Sequence, residues 1–175
     1  ANAVDWVQDL EDCKTISYTD ISKNPSLATE HKIAVIPTII TQLLYGNKDV
    51  KLGSLHPTRD LNYVDDICRG FIAIAKCDEA IGKVINIGSG DEISIKDLAS
   101  LIIKLTGKDA RVVSDDIRNR PEKSEVERLV CGNSLLKDMT GWRPGVSLED
   151  GLIKTIEWFK DKEILNKYKS DAYNV

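Results

Sequence analysis

The sequence predicts an α/β fold on three observations. Short β-rich runs alternate with longer segments whose apolar residues recur at helical spacing. The ends of those segments carry capping residues, and no internal repeat or low-complexity linker breaks the order. Composition agrees: 175 residues, 42% apolar and 30% charged, describe neither a fibrous nor a disordered chain. A chain of this size buries about two-thirds of the surface its unfolded form exposes, enough for one core without disulfides or metals.

Taken in order, Thr38 to Tyr45 places Ile39, Ile40, Leu43 and Leu44 on one helical face, with Gly46 as the stop. Val50 to Leu52, closed by Gly53, and Leu61 to Val64 read as extended pieces. Asp65 to Lys76 is a helix whose buried stripe would be Ile67, Cys68, Phe71, Ile72 and Ala75. Lys83 to Ile87 is a short strand running into the turn Gly88-Ser89-Gly90. Ser94 and Asp97 then form a capping box for a helix through Leu105, with Leu98, Leu101, Ile102 and Leu105 inward and Gly107 at its end. Ala110 to Val113 and Leu129 to Cys131 are further strands, separated by a charged loop. Asn133 caps a short helix to Met139. Ser147 with Asp150 caps a last helix whose stripe is Leu148, Leu152, Ile156 and Phe159. Residues 1–33 have a different texture: an acidic helix-like start, a strand at Thr15 to Tyr18, and a helical stretch opened by Asn24-Pro25. A domain boundary falls near Ala34, dividing 1–33 from 34–175.

Several classes of function are set aside by composition. No apolar run approaches the ~20 residues of a membrane helix. Lys and Arg number 24 against 28 Asp and Glu, a net charge of −4 that matches a nucleic-acid backbone poorly. Cys13, Cys68, Cys77 and Cys131 form no CxxC pair, and Asp5 and Asp9 stand in a start without basic residues, so reduced thiols and a cytoplasmic location are expected. His31 and His56 lack the spaced partners of a zinc site.

Two motifs invite chemistry. Glycines in a turn after a strand let a pyrophosphate approach a helix N-terminus, but the third position of GxGxxG is Ile93, which favours a plain strand-to-helix turn with Ser94 as the cap. Arg59, in Pro57-Thr58-Arg59-Asp60, and Arg120, in Arg118-Asn119-Arg120-Pro121-Glu122, each carry a guanidinium fork able to hold a phosphate. Arg59 stands equally close in sequence to the ion-pair partners Asp60, Asp65 and Asp66, and Arg120 reads equally as a solvated loop charge.

From Ala34 onward the chain runs through the blocks Ala34-Val35-Ile36-Pro37, Val50-Lys51-Leu52-Gly53, Arg59-Asp60-Leu61-Asn62-Tyr63-Val64-Asp65-Asp66 and Val84-Ile85-Asn86-Ile87-Gly88-Ser89-Gly90. After these come Ile93-Ser94-Ile95, Arg120-Pro121, Thr140-Gly141-Trp142-Arg143-Pro144 and Leu148 to Leu152 with Thr155 to Trp158. In this order the blocks resemble the C-terminal part of an NAD-dependent sugar-nucleotide epimerase/dehydratase, an extended short-chain dehydrogenase similar to GDP-mannose 4,6-dehydratase. The resemblance implies a partial Rossmann-type architecture: the C-terminal lobe of an extended short-chain dehydrogenase preceded by a short βα segment. It implies a nucleoside-diphosphate sugar as ligand, with Arg59 and Arg120 on the diphosphate and Val35, Lys51 and Leu52 flanking the base. An acid after the Arg-Pro pair holds a ribose hydroxyl; Glu125, paired with Val126, fits that pairing, while Glu122 lies nearer in sequence.

The family's catalytic half, by the same resemblance, carries a glycine-rich NAD turn and a Tyr-x-x-x-Lys pair. Tyr18 is followed by Lys23 and Tyr45 by Lys48, neither at that spacing, and no glycine precedes Gly46. This chain alone is therefore expected to bind no NAD and to turn nothing over, with a complementing chain or a second copy as partner. Residues 11–40, with Asp12-Cys13-Lys14, Ile16-Ser17-Tyr18, Asp20 to Ala28 and Ile33 to Thr38, resemble the middle of a thioredoxin-fold domain. The alternative reading is thus a non-enzymatic scaffold joining that segment to the dehydratase lobe. A thioredoxin-like setting implies a cis Ile36-Pro37 bond and a strand; the dehydratase setting implies trans and a helix, which the spacing of Ile39, Ile40, Leu43 and Leu44 favours.

Overall fold

The first helix among the described residues extends further towards the N-terminus than its apolar spacing suggests. In the computed structural model, which describes residues 35–118 and 126–168, α1 spans Val35–Leu44. Pro37 lies in its first turn, where a missing N–H leaves no bond unmade. No peptide bond among the described residues is cis, so Ile36-Pro37 is trans and a helix follows it. The readings on residues 1–34, including the strand at Thr15 to Tyr18, lie outside the described residues.

Ile39, Ile40 and Leu43 of α1 are fully buried, and so are its polar residues Thr38, Thr41 and Gln42. Burial of Gln42 is satisfied by strand β1, Asp49–Leu52: its Oε1 accepts from the Lys51 amide at 2.9 Å and its Nε2 donates to the Lys51 carbonyl at 3.2 Å. The amide side chain thereby takes the place of a neighbouring strand.

After β1 come the two-residue strand β2, Thr58–Arg59; helix α2, Val64–Ala75; a 3-10 turn, Asp78–Ala80; strand β3, Ile93–Ser94; and helix α3, Ile95–Thr106. Strand β4, Arg111–Ser114, pairs in parallel with β1, Val50 opposite Val112. A second 3-10 turn, Asp116–Arg118, precedes strand β5, Arg128–Leu129, which runs parallel to β2, while β3 pairs antiparallel to β2 on its other side. Helices α4, Ser134–Thr140, α5, Leu148–Phe159, and α6, Lys162–Leu165, complete the order.

One core joins α1, β1, α3 and α5 through Leu43, Val50, Leu98, Ile102, Leu152 and Phe159 among others. The two capping-box helices form as read: Ser94 Oγ accepts from the Asp97 amide and Ser147 Oγ from the Asp150 amide. Gly107 ends α3 at φ +64°, a left-handed cap that a Cβ would strain.

Four readings are corrected. Lys83 to Ile87 is not a strand, because among the described residues no segment pairs with it, and Val84 is 91% exposed. Leu61 to Tyr63 is irregular and Val64 already belongs to α2; the extended pairing falls two residues earlier, at β2, where Thr58 and Arg59 find partners on both sides. The stripe assigned to α2 is largely outward: Cys68, Phe71, Ile72 and Ala75 are exposed, and the face that packs carries Asp66 and Gly70. Asn133 stands before α4 without capping it through its side chain, which is engaged elsewhere.

Candidate functional site

A cavity of about 280 Å³ opens between the end of β2, the segment around Ser89 to Ile93 and the loop Pro144 to Leu148. Its wall carries Arg59, Asn62, Tyr63 and Ser147 beside the acids Asp66, Asp91 and Glu92. Arg59 is placed there by β2. Its Nη1 donates to the Val126 carbonyl at 2.7 Å and to its own strand at the Thr58 carbonyl, 2.8 Å. The Thr58 amide donates to the Glu127 carbonyl at 2.8 Å, so β2 and the start of β5 are tied on both sides of Arg59. Glu92 is held against the same sheet by Arg128, at 2.8 Å from Nη2, and by the Thr58 hydroxyl at 2.6 Å.

Asp60, the next residue, is the hub of the site's backbone. Its Oδ1 accepts from Ser89 Oγ at 2.6 Å, the Ser89 amide at 3.2 Å and Asn62 Nδ2 at 2.9 Å. Its Oδ2 accepts from the amides of Gly90 at 2.9 Å and Cys131 at 3.2 Å. Partial burial pushes its pKa up, but the bonds from Ser89 Oγ and the amides of Gly90, Cys131 and Ser89 outweigh it and hold the carboxyl below its ordinary 3.8. Asn133 Nδ2 clamps the turn from the other side, donating to the carbonyls of Gly88 at 2.7 Å and Ser89 at 2.8 Å. Gly88 has no room for a side chain: a Cβ would lie 2.4 Å from Cys131 Cβ and 2.9 Å from Asp60 Oδ2. The Cys131 thiol is raised above 9.0 by burial and by the Asp60 charge, and so stays protonated and unreactive near neutrality.

The far wall rests on Asp66, which is 1% exposed. Its carboxylate accepts from the amides of Gly145 at 3.1 Å and Val146 at 2.9 Å and pairs with Arg69 of α2. Tyr63 packs on α5 at Gly151, where an added Cβ would come within 3.3 Å of its ring, and Lys154 Nζ lies 4.9 Å from the ring centroid.

Of the described residues given a ligand role from sequence, Arg59, Val35, Lys51 and Leu52, Arg59 alone lines this cavity. Val35 opens α1 half-buried against the core. Lys51 and Leu52 are neighbours on β1, but Lys51 is exposed, whereas the Leu52 side chain is 3% exposed inside the core and its carbonyl accepts from the Asp115 amide. Arg120 and Glu125, with Glu122, lie outside the described residues. What the sequence reading missed is the work of Asp60, Asp66 and Asn133. The signal for Asp60 and Asp66 was their place in the Arg-Asp-x-x-Tyr-Val-x-Asp block; that for Asn133, a cap-type residue, pointed to its own helix instead.

The glycine turn does not fit a dinucleotide pyrophosphate. The Ser89 and Gly90 amides that such a group would need already donate to Asp60.

The sequence profile described as GDP-mannose 4,6 dehydratase matches residues 7–155. The match begins before the segment likened to thioredoxin, residues 11–40, runs through the whole of it and lends that likeness no support. The chain is 36% identical over 141 residues to a UDP-N-acetyl-alpha-D-glucosaminuronate decarboxylase of Bacillus cytotoxicus, covering 74% of this chain and 40% of that protein. Its fold resembles the UDP-glucose 4-epimerase of Thermotoga maritima solved with UDP-glucose, at TM-score 0.65 and 29% identity, over 74% of this chain and 40% of that one. It also resembles the UDP-glucuronic acid 4-epimerase of Bacillus cereus solved with UDP-glucuronic acid and NAD, at TM-score 0.65 and 30% identity, over 73% and 40%. The chain spans about two-fifths of the length of these relatives. With the profile running from before α1 into α5 and the matched folds agreeing with it, the chain belongs to the GDP-mannose 4,6-dehydratase family of nucleotide-sugar epimerases and dehydratases, within the short-chain dehydrogenases.

Proposed function

We propose that this chain is a sugar-nucleotide-binding lobe whose ligand is a nucleoside-diphosphate sugar. The observation that supports it best is the position of Arg59: on the cavity wall and hydrogen bonded to Val126, the residue at which the loop bearing Arg120 and Glu125 rejoins the described structure. In this reading Arg59 and Arg120 hold the diphosphate, each charge-assisted bond contributing on the order of 1.5–3 kcal/mol where water is excluded. Glu125 takes a ribose hydroxyl, Val35, Lys51 and the backbone of Leu52 flank the base, and Asn62, Tyr63 and Ser147 offer hydrogen bonds to the sugar.

The proposal extends to chemistry. Lacking Tyr-x-x-x-Lys, and with its glycine turn committed to Asp60, the lobe binds without turnover. The Bacillus cereus epimerase was solved with NAD, a cofactor whose general chemistry is hydride transfer; no step in this chain is routed through it.

Titration calorimetry with UDP-, GDP- and dTDP-sugars tests the reading. A saturable heat that falls about tenfold or more in each of Arg59→Ala and Arg120→Ala supports it. No heat with any of them, or heat indifferent to both replacements, overturns it. Turnover on added NAD and sugar nucleotide would refute the catalytic part separately.

A further inference from the structure

The cavity between β2, the Ser89 to Ile93 segment and the Pro144 to Leu148 loop has an uneven supply of hydrogen-bonding groups. Its donors are largely committed to the protein's own acceptors. The amides of Gly145 and Val146 go to Asp66, those of Ser89 and Gly90 to Asp60, and that of Asp91 to Ser89 Oγ at 3.0 Å. The Ser89 hydroxyl also donates to Asp60, and the Ser147 hydroxyl donates to Asp150 Oδ2 at 2.7 Å. Of the cations close by, Arg69 pairs with Asp66, Arg128 pairs with Glu92, and Lys154 lies against the Tyr63 ring. None of these three lines the cavity, where Arg59 is the only cation among the described residues.

Acceptors, by contrast, are left over. Asn62 lines the cavity with its Oδ1 buried and without a partner, its Nδ2 being turned to Asp60. Asp91, exposed on the same wall, is bonded only through its backbone, to Ser89, and its carboxylate takes no hydrogen bond or ion pair among the described residues. Such a wall suits a ligand rich in donors. A hydroxyl or an amine can offer a hydrogen to these oxygens. A carboxylate only accepts, brings a like charge towards Asp91, and needs donors that the wall has already spent. We infer that this cavity admits an uncharged or amine-bearing sugar and disfavours a hexuronate, with Asp91 as the residue that sets the choice. The inference rests on the sugar-nucleotide reading and adds to it the chemical class of the sugar, Arg59 being engaged there by the diphosphate.

The test titrates the 175-residue chain with matched pairs that differ at sugar C6 alone: UDP-glucose against UDP-glucuronic acid, and GDP-mannose against GDP-mannuronic acid. All titrations share one ionic strength, since salt screens a charge at an exposed position. The neutral member of the pair is expected to bind about tenfold or more tightly than the uronate. Asp91→Asn, nearly isosteric and at an exposed side chain, should narrow that gap by about threefold or more, and Asp91→Lys should close or invert it, both chiefly through the affinity for the uronate. Equal binding of the two members, or tighter binding of the uronate, overturns the inference while the sugar-nucleotide reading stands. A gap that both replacements leave unchanged overturns it in the same way. Absence of binding by every one of these ligands removes the sugar-nucleotide reading and this inference with it.

Discussion

Helices α2 and α3 are both twelve residues long and both amphipathic, yet they end up in opposite circumstances. The stripe of α3 is sealed: Leu98 and Ile102 are fully buried, against α1, β1 and α5. That of α2 faces outward, and the helix instead buries Asp66 and Gly70, with Ile67 and Ile74 half-buried. The lesson is that periodicity reports which face of a helix is apolar, while whether that face is covered depends on what the rest of the fold brings to it.

The widest expected separation between the two regions is in stability. Leu98→Ala empties a packed site and should cost about 2–5 kcal/mol. Phe71→Ala, on a face the free chain leaves wet, should stay within about 0.5 kcal/mol. Urea midpoints of the two variants measure it directly, and equal losses would mean that α2 is as well covered as α3.

Next in size is Gly88→Ala. The added methyl meets the Cys131 Cβ and an Asp60 oxygen, and overpacking of this kind costs about 1–3 kcal/mol. A smaller, pH-dependent effect belongs to Asp60. Its folded pKa is held below 3.8, so its contribution is fully present above that value and drains away as the pH falls through the folded pKa. Asp60→Asn should therefore lose about 1–2 kcal/mol at pH 7, and the difference from the parent should shrink as the pH is taken from 4 towards 2, in urea melts across that range. A gap that widened in acid would contradict the hydrogen-bond account. Smallest of the set, Ser147→Ala removes the oxygen that receives the Asp150 amide and should cost about 1 kcal/mol, read from the thermal midpoint.

Much of the helical frame was legible. Ser94, Ser147 and Gly107 act locally, within a few residues of chain, and their geometry follows from short-range chemistry. The small sheet was not, because β2, β3 and β5 are two residues each and exist only by pairing across 34 to 70 positions of sequence, as Thr58 opposite Ser94 and Arg128 shows. Periodicity has no purchase on so short a run. Arg59 stood out as a candidate through its guanidinium and its block, and it lies on the cavity wall. The base-flanking role given to Leu52 meets a side chain already spent on the core, which a β-branched or aliphatic residue in a short strand does not announce. Asn133 shows the converse failure: a residue type suited to capping its own helix is recruited by carbonyls 44 and 45 residues away.

The Asp60 knot has a kinetic corollary. Its acceptor oxygens draw in amides 29, 30 and 71 positions further along. Bringing two such remote stretches to Asp60 costs closure entropy before any bond is returned, so the knot belongs to the native side of the rate-limiting barrier. In stopped-flow traces Asp60→Asn should hasten unfolding while refolding proceeds at nearly the parental rate, making this carboxylate a latch on the finished fold and no part of its nucleus.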